Sequence, residues 1–136
     1  MLVDSSVWVS YLRGTGTPEV IQLLAALENG DPIWLVPTII QEVLQGADSL
    51  VRFARWARVL GELPVIPDPD DGGSAQAAAH LYARCRWAGI TPRSSNDCLI
   101  SVHAIRSRIP ILHQDRDFFA IASIEPNLLL VTISPE

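Results

Sequence analysis

Five short apolar segments recur along the chain, and a stretch of helical character separates each from the next. Short apolar segments that alternate with helices are typical of buried strands in a parallel sheet, where the returning helices cover both faces. The pattern predicts an α/β fold with a mainly parallel sheet of about five strands, flanked by helices. The predicted strands are residues 2–4, 32–37, 63–67, 109–114 and 128–133.

Helix boundary signals accompany the intervening stretches. Residues 18–29 follow Thr17, which suits an N-cap, and precede Gly30, which suits the position after a helix end. Another helix is predicted to begin just after Thr38, because Thr38 and Gln41 have the spacing of a capping box. A turn is predicted at 68–73, and further helices are predicted at about 50–60, 74–88, 95–107 and 116–122.

Length and cysteine content bound the class of protein. A chain of 136 residues is long enough to bury a core, so we expect a single domain over residues 1–136. No apolar run approaches the ~20 residues of a membrane-spanning helix, and the N-terminal segment meets Asp4 almost at once. Cys85 and Cys98 have neither a zinc-site nor a CxxC spacing. We therefore expect a cytoplasmic protein, with no membrane association and with reduced, buried cysteines.

The charged residues narrow the chemistry further. All ten basic residues are arginine, and the absence of lysine excludes P-loop and Schiff-base chemistry. The net charge of −5 argues against a broad nucleic-acid-binding surface, because such a surface needs many cations. A nucleic-acid site in this chain would have to be a local arginine patch or a metal centre.

Acidic side chains lie just beyond the predicted strands, at the edge where sites form in parallel sheets. Asp4 ends the first strand, and Glu42 lies in the first turn or so of the helix after the second. Asp97 lies in the first turn of a later helix. Asp115 directly follows the fourth strand, with Asp117 two residues further on.

Each of these acids also has a local alternative. Asp97 has the spacing of a capping box with Ser94, Asp115 and Asp117 could cap the short helix that follows, and Glu42 could serve a helix dipole. The predicted fold nevertheless brings them to one cleft, where carboxylates repel one another unless a cation neutralises them. An all-oxygen set suits Mg²⁺ or Mn²⁺, for which a metal-activated water attacking a phosphodiester is natural chemistry.

Four segments resemble the acidic motifs of PIN-domain nucleases, and their order covers essentially the whole chain: "LVDSSVW", "QEVLQG", "SSNDCLISVHA" and "LHQDRDF". The likeness is strongest to the toxin ribonucleases of VapBC-type toxin–antitoxin pairs. This resemblance implies a PIN-like three-layer fold, with the mainly parallel sheet between helices. It also implies metal-dependent endonucleolytic cleavage of RNA, with water attacking phosphorus to leave a 5′-phosphate and a 3′-hydroxyl.

The resemblance also implies which residues form the site. The implied catalytic and metal-binding residues are Asp4, Glu42, Asp97 and Asp115, and the implied accessory residues are Ser6, Asn96 and Asp117. Between the two acids of "HQDRD", Asp115 is favoured as the ligand because it lies nearer the strand end. The number of metal ions, one or two, stays open.

Partners follow from the arginines and from the resemblance. Arg13, Arg93 and Arg116 lie next to the acidic motifs and are candidates to hold RNA phosphates. The resemblance implies a homodimer or a toxin–antitoxin hetero-oligomer, in which a VapB-type antitoxin blocks the acidic site. Two other functions stay open: a PIN-fold housekeeping nuclease of RNA maturation, and a module that binds RNA or protein without cleaving.

Overall fold

The structure, a computed structural model, describes residues 1–133. This range contains seven helices and two regular strands, and the two strands lie far apart in sequence. They are β1 (Leu2–Val3), α1 (Ser5–Leu12), α2 (Pro18–Asn29), α3 (Pro37–Leu44), α4 (Leu50–Gly61), α5 (Asp71–Trp87), α6 (Ser95–Ser107), β2 (Ile111–Leu112) and α7 (Asp117–Ile124).

A parallel sheet lies at the centre and confirms the predicted fold class. β1 pairs with β2 in parallel, with Leu2 opposite Ile111. Isolated parallel bridges extend the sheet on both sides, and they join Leu2 to Trp34, Leu35 to Val65 and Ile111 to Leu130. All five predicted strand segments therefore contribute to the sheet. Numbered along the sequence, they lie side by side in the order third, second, first, fourth, fifth.

The segments are shorter as strands than the apolar pattern predicted. Within the described residues only β1 and β2 form a regular ladder, and each contains two residues. Prolines explain much of the shortening, because proline has no N–H to donate to a neighbouring strand. The apolar segments are bounded in this way by Pro32, Pro37, Pro64, Pro67 and Pro110.

Both faces of the sheet are covered. Leu2, Val3 and Ile111 are fully buried, and Leu112 is 1% exposed. Because consecutive side chains of a strand point to opposite faces, burial of both neighbours requires helices on each side. The structure therefore has the layered arrangement of helices, sheet and helices.

Three helix starts differ from the predictions. α1 was not predicted, and it begins after Asp4, whose side chain accepts from the N–H of Ser6. α3 begins at Pro37 with no side-chain cap, so the predicted capping box at Thr38 is wrong, and Glu42 lies in the second turn rather than the first. α5 begins at Asp71 instead of within the alanine-rich segment, because the side chain of the preceding aspartate accepts from an N–H of its first turn.

None of the helices in residues 1–133 is both long enough and apolar enough to cross a lipid bilayer.

Candidate metal centre

The pairing of β1 with β2 brings the two strand ends, and the acids that follow them, to one edge of the sheet. Asp4 directly follows β1, and its backbone N–H donates to the carbonyl of Leu112, the last residue of β2, at 2.9 Å. Asp115 lies three residues beyond Leu112, just before α7. Because the two strands are parallel, their carboxyl ends meet at this edge.

Ser6 binds Asp4 to the segment that follows β2. The hydroxyl of Ser6 donates to Oδ2 of Asp4 at 2.7 Å and accepts from the backbone N–H of Gln114 at 3.1 Å. The backbone N–H of Ser6 donates to the same carboxylate oxygen at 3.1 Å. Ser6 therefore orients the Asp4 carboxylate and joins the ends of the two strands.

Gln114 was not a predicted site residue, yet its side chain joins three segments at this edge. Its Oε1 accepts from the hydroxyl of Thr17 at 2.6 Å, and its Nε2 donates to Ser10 at 3.0 Å. Thr17 is also the N-cap of α2, as predicted. A single glutamine belongs to no recognisable motif, so the only feature of the sequence that pointed to Gln114 was its position next to Asp115.

Asp97 and Asp4 each bury a carboxylate oxygen without a partner. Asp97 lies in the first turn of α6 and is 5% exposed, and Asp4 is 3% exposed. Among the described residues, Oδ2 of Asp97 and Oδ1 of Asp4 have no hydrogen-bond partner. Such burial is costly unless a cation binds the oxygen. The two oxygens therefore fit ligands of a cation.

The capping alternatives have different outcomes for Asp97 and Asp115. The hydroxyl of Ser94 caps α6 by accepting from the N–H of Asn96 at 3.2 Å, and Oδ2 of Asp97 takes no part in that cap. Oδ1 of Asp115 accepts from the N–H of Asp117 at 2.9 Å, so Asp115 does fix the start of α7. Capping therefore explains one hydrogen bond of the Asp115 carboxylate, but it does not explain the buried oxygen of Asp97.

Three carboxylates meet closely at this edge. One oxygen from each of Asp97, Asp115 and Asp117 lies within 4.8 Å of the other two. The three residues come from α6, from the segment after β2 and from α7. A set of carboxylate oxygens is the donor chemistry that Mg²⁺ and Mn²⁺ prefer.

Glu42 borders this cluster from α3. Its Oε1 accepts from the hydroxyl of Ser5 at 3.4 Å, which is a long contact. Burial, followed by the charge of Asp4, raises the pKa of Glu42, whereas hydrogen bonding from Ser5 and Asn96 opposes the rise. Asn96 therefore lies near Glu42 as well as beside Asp97.

The pKa values show how much negative charge is left uncompensated. Burial, followed by the charges of Asp4, Asp115 and Glu42, raises the pKa of Asp97 to about 7. Burial also raises the pKa of Asp4, although its hydrogen bonds from Ser6 act in the opposite direction. Carboxylates of this kind ionise fully at neutral pH when a divalent cation binds them.

The three arginines proposed from sequence lie in different surroundings. Arg93 contacts the acids themselves: its guanidinium reaches Asp115 at 2.8 Å and Asp117 at 3.2 Å. Arg13 donates to the carbonyl of Gly46 at 3.4 Å. Arg116 is exposed and lines a groove of about 470 Å³ beside the segment that follows β2.

Comparison with known proteins identifies the family. The PIN domain family model matches residues 1–124. The chain belongs to the PIN-domain family. Within it, the chain is 38% identical over 125 residues to VapC ribonuclease Mb1587 of Mycobacterium bovis, which covers 91% of this chain and 92% of the relative. The same identity and coverage hold for ribonuclease VapC11 of Mycobacterium tuberculosis, so this PIN domain is a member of the VapC ribonuclease family.

Two solved structures share the PIN fold. VapBC2 from Rickettsia felis, bound to a DNA fragment from its promoter, contains a chain that matches with a TM-score of 0.74 and 18% identity. FitAcB from Neisseria gonorrhoeae matches with a TM-score of 0.66 and 16% identity. Both matches cover 96% of this chain and 96% of the neighbour's chain, so this VapC-family member shares their fold along nearly its whole length.

Proposed function

We propose that this PIN domain is a toxin-type endoribonuclease that hydrolyses RNA phosphodiester bonds with Mg²⁺ or Mn²⁺ and that an antitoxin inhibits. The single observation that supports it most is the pair of buried carboxylate oxygens without partners, on Asp4 and Asp97. They lie at the edge of the sheet where a metal site is expected. The 38% identity to VapC ribonucleases supplies the substrate class.

In this proposal the acids have distinct tasks. Asp4, Asp97 and Asp115 would hold the ion, which when bound supplies an activated water and neutralises charge on the phosphate. Ser6 keeps the Asp4 carboxylate oriented through the 2.7 Å hydrogen bond. Glu42, whose pKa is raised first by burial, would take a proton from the attacking water.

The inhibitory partner would be a VapB-type antitoxin. The relatives are VapC ribonucleases, and one structural neighbour is the VapBC2 assembly. Exposed apolar side chains on each of two helices are candidates for contact with such a partner or with a second copy of the chain. They are Ile21, Leu24 and Leu27 on α2, and Leu50, Val51 and Phe53 on α4. The active unit would be one domain, residues 1–136, working in the cytoplasm, where buried Cys85 and Cys98 remain free thiols.

A module that binds RNA without cleaving it is the weaker candidate. Such a module has no need for Asp4 and Asp97, because each buries a charge at a cost that RNA binding does not recover. A housekeeping nuclease would use the same acids, but the VapC relatives favour a toxin.

The proposal is tested by RNA cleavage with the purified chain after any bound partner has been stripped under denaturing conditions. Refolded protein should cut RNA into discrete fragments with 5′-phosphates in Mg²⁺ or Mn²⁺, and EDTA should stop the reaction. Circular dichroism verifies the fold in each buffer. Cleavage that persists in EDTA, or a folded chain that is inert toward total RNA in both metals, would count against the proposal.

Ser6→Ala tests the positioning of Asp4. We expect it to lower the cleavage rate by about 10- to 100-fold, the usual cost of losing a group that orients a metal ligand. The lost hydrogen bonds should also destabilise the fold by about 1–2 kcal/mol, measured by urea unfolding.

Ser123→Ala is the matched control for this change, because within residues 1–133 the Ser123 hydroxyl bonds only to the carbonyl of Ala120 in its own helix. It should leave cleavage unchanged. Equal activity of the two variants would show that Ser6 does not position the acid.

A further inference from the structure

One cation of the chain itself sits among the acids. The guanidinium of Arg93 donates from Nη2 to Oδ1 of Asp115 at 2.8 Å and from Nε to Oδ2 of Asp117 at 3.2 Å. The backbone N–H of Arg93 donates to the same oxygen of Asp117 at 3.0 Å. Two of the three clustered carboxylates are therefore already bound to a positive charge.

The remaining acids have no such partner. Among residues 1–133, no ion pair reaches Asp4, Glu42 or Asp97. The two unpartnered carboxylate oxygens, on Asp4 and Asp97, are in this half of the site. The site is thus divided into a half that Arg93 neutralises and a half that holds uncompensated charge.

We propose that Arg93 occupies the place of a second cation, so that the centre binds one divalent ion, held by Asp4, Asp97 and Asp115. Asp117 is then a partner of Arg93 and not a metal ligand, and Arg93 is a positioning residue. This inference rests on the proposed metal-dependent function. It goes beyond that function, since a PIN domain that cleaves RNA could use one ion or two.

Charge and geometry both support a single ion. Two-metal centres hold their ions about 3.5–4 Å apart and need carboxylates that bridge them. Oδ1 of Asp115 and Oδ2 of Asp117 are engaged by Arg93, which removes two of the oxygens that could bridge. A guanidinium at this distance also repels a second divalent ion.

The experiment counts bound ions by calorimetric titration of the full chain with Mn²⁺, after EDTA treatment and dialysis. Wild type should bind one Mn²⁺ per chain, with the electron paramagnetic resonance spectrum of an isolated ion. Arg93→Gln should bind two, with the spectrum of an exchange-coupled pair, and should hold the first ion roughly tenfold more tightly because a repulsive charge is gone.

Two further variants separate charge from the loss of an arginine. Arg93→Lys keeps the positive charge and should still bind one ion. Arg86→Gln removes an exposed arginine on α5 and should bind like wild type. The Arg93 side chain is 64% exposed, so its replacement leaves no buried cavity.

The outcomes separate this inference from the proposed function. Two ions on the wild type, or one ion with unchanged affinity on Arg93→Gln, overturn the role given to Arg93 while leaving a metal-dependent nuclease in place. A folded wild type that binds no Mn²⁺ overturns the proposed function itself. A wild-type count of two ions overturns the inference even where a variant fails to fold.

Discussion

Asp97→Asn is expected to lower kcat/KM for RNA cleavage by at least roughly a thousandfold, because it removes a charge from the centre of the acidic cluster. The fold should survive, since asparagine has nearly the same shape and Asp97 is 5% exposed in a place where its charge is costly. Steady-state cleavage of a fluorogenic RNA in Mg²⁺ and in Mn²⁺ measures the loss, and circular dichroism checks the fold.

Asp48→Asn is the matched control for this change. Asp48 pairs with Arg52 at 3.1 Å on the surface, with side chains that are 69% and 54% exposed. Exposed pairs of this kind contribute little to stability, so the control should cleave and unfold like wild type. Wild-type cleavage by Asp97→Asn would remove Asp97 from the metal centre.

Without divalent cations, the protein is expected to lose stability as the pH rises from about 4 to about 7. Burial, then the charges of Asp4 and Asp115, raise the pKa of Asp97 from 3.8 to about 7. The folded state therefore holds a proton that the unfolded state releases, and stability falls as the pH rises through this window. The loss attributable to Asp97 should be about 2 kcal/mol, less than the full shift implies because solvent partly screens the site.

Urea unfolding in EDTA, at a series of pH values, measures this loss as the difference between wild type and Asp97→Asn. The difference isolates Asp97 from groups whose pKa is lowered, such as Asp117, which act in the opposite direction. The free energy of unfolding of the variant should rise relative to that of the wild type as the pH rises. Mn²⁺ should restore the stability of the wild type at high pH. A difference that is independent of pH would contradict the assignment.

The positions of the strand segments could be predicted, whereas α1 could not. Apolar segments bounded by proline have few alternatives to buried strands, so the five segments were recognisable. Residues 5–12 contain serine and β-branched valine, which favour helices only weakly, and no periodic pattern stands out. The helix forms because Asp4 caps its start and because Val7 and Trp8 pack into the core.

The site shows the same contrast. Asp4 and Asp115 could be predicted to meet, since each follows a strand and parallel strands end at one edge. The pairing of Arg93 with Asp115 and Asp117 could not be predicted, because it depends on the path of the loop before α6. Arg93 was also predicted to hold RNA phosphates, which stays a prediction, because its side chain is 64% exposed while it pairs with the two acids.

The pairing of β1 with β2 also has a consequence for the time course of synthesis. Residues 2–3 have their strand partners at 111–112, so β1 cannot pair with β2 until more than a hundred further residues have been synthesised. Until then Asp4 lacks Gln114 and Asp115 beside it, and the acids are spread along an incomplete chain. The carboxylates of Asp4 and Asp115 therefore meet only after residues 111–115 have been synthesised, and the proposed metal centre cannot assemble on a shorter nascent chain.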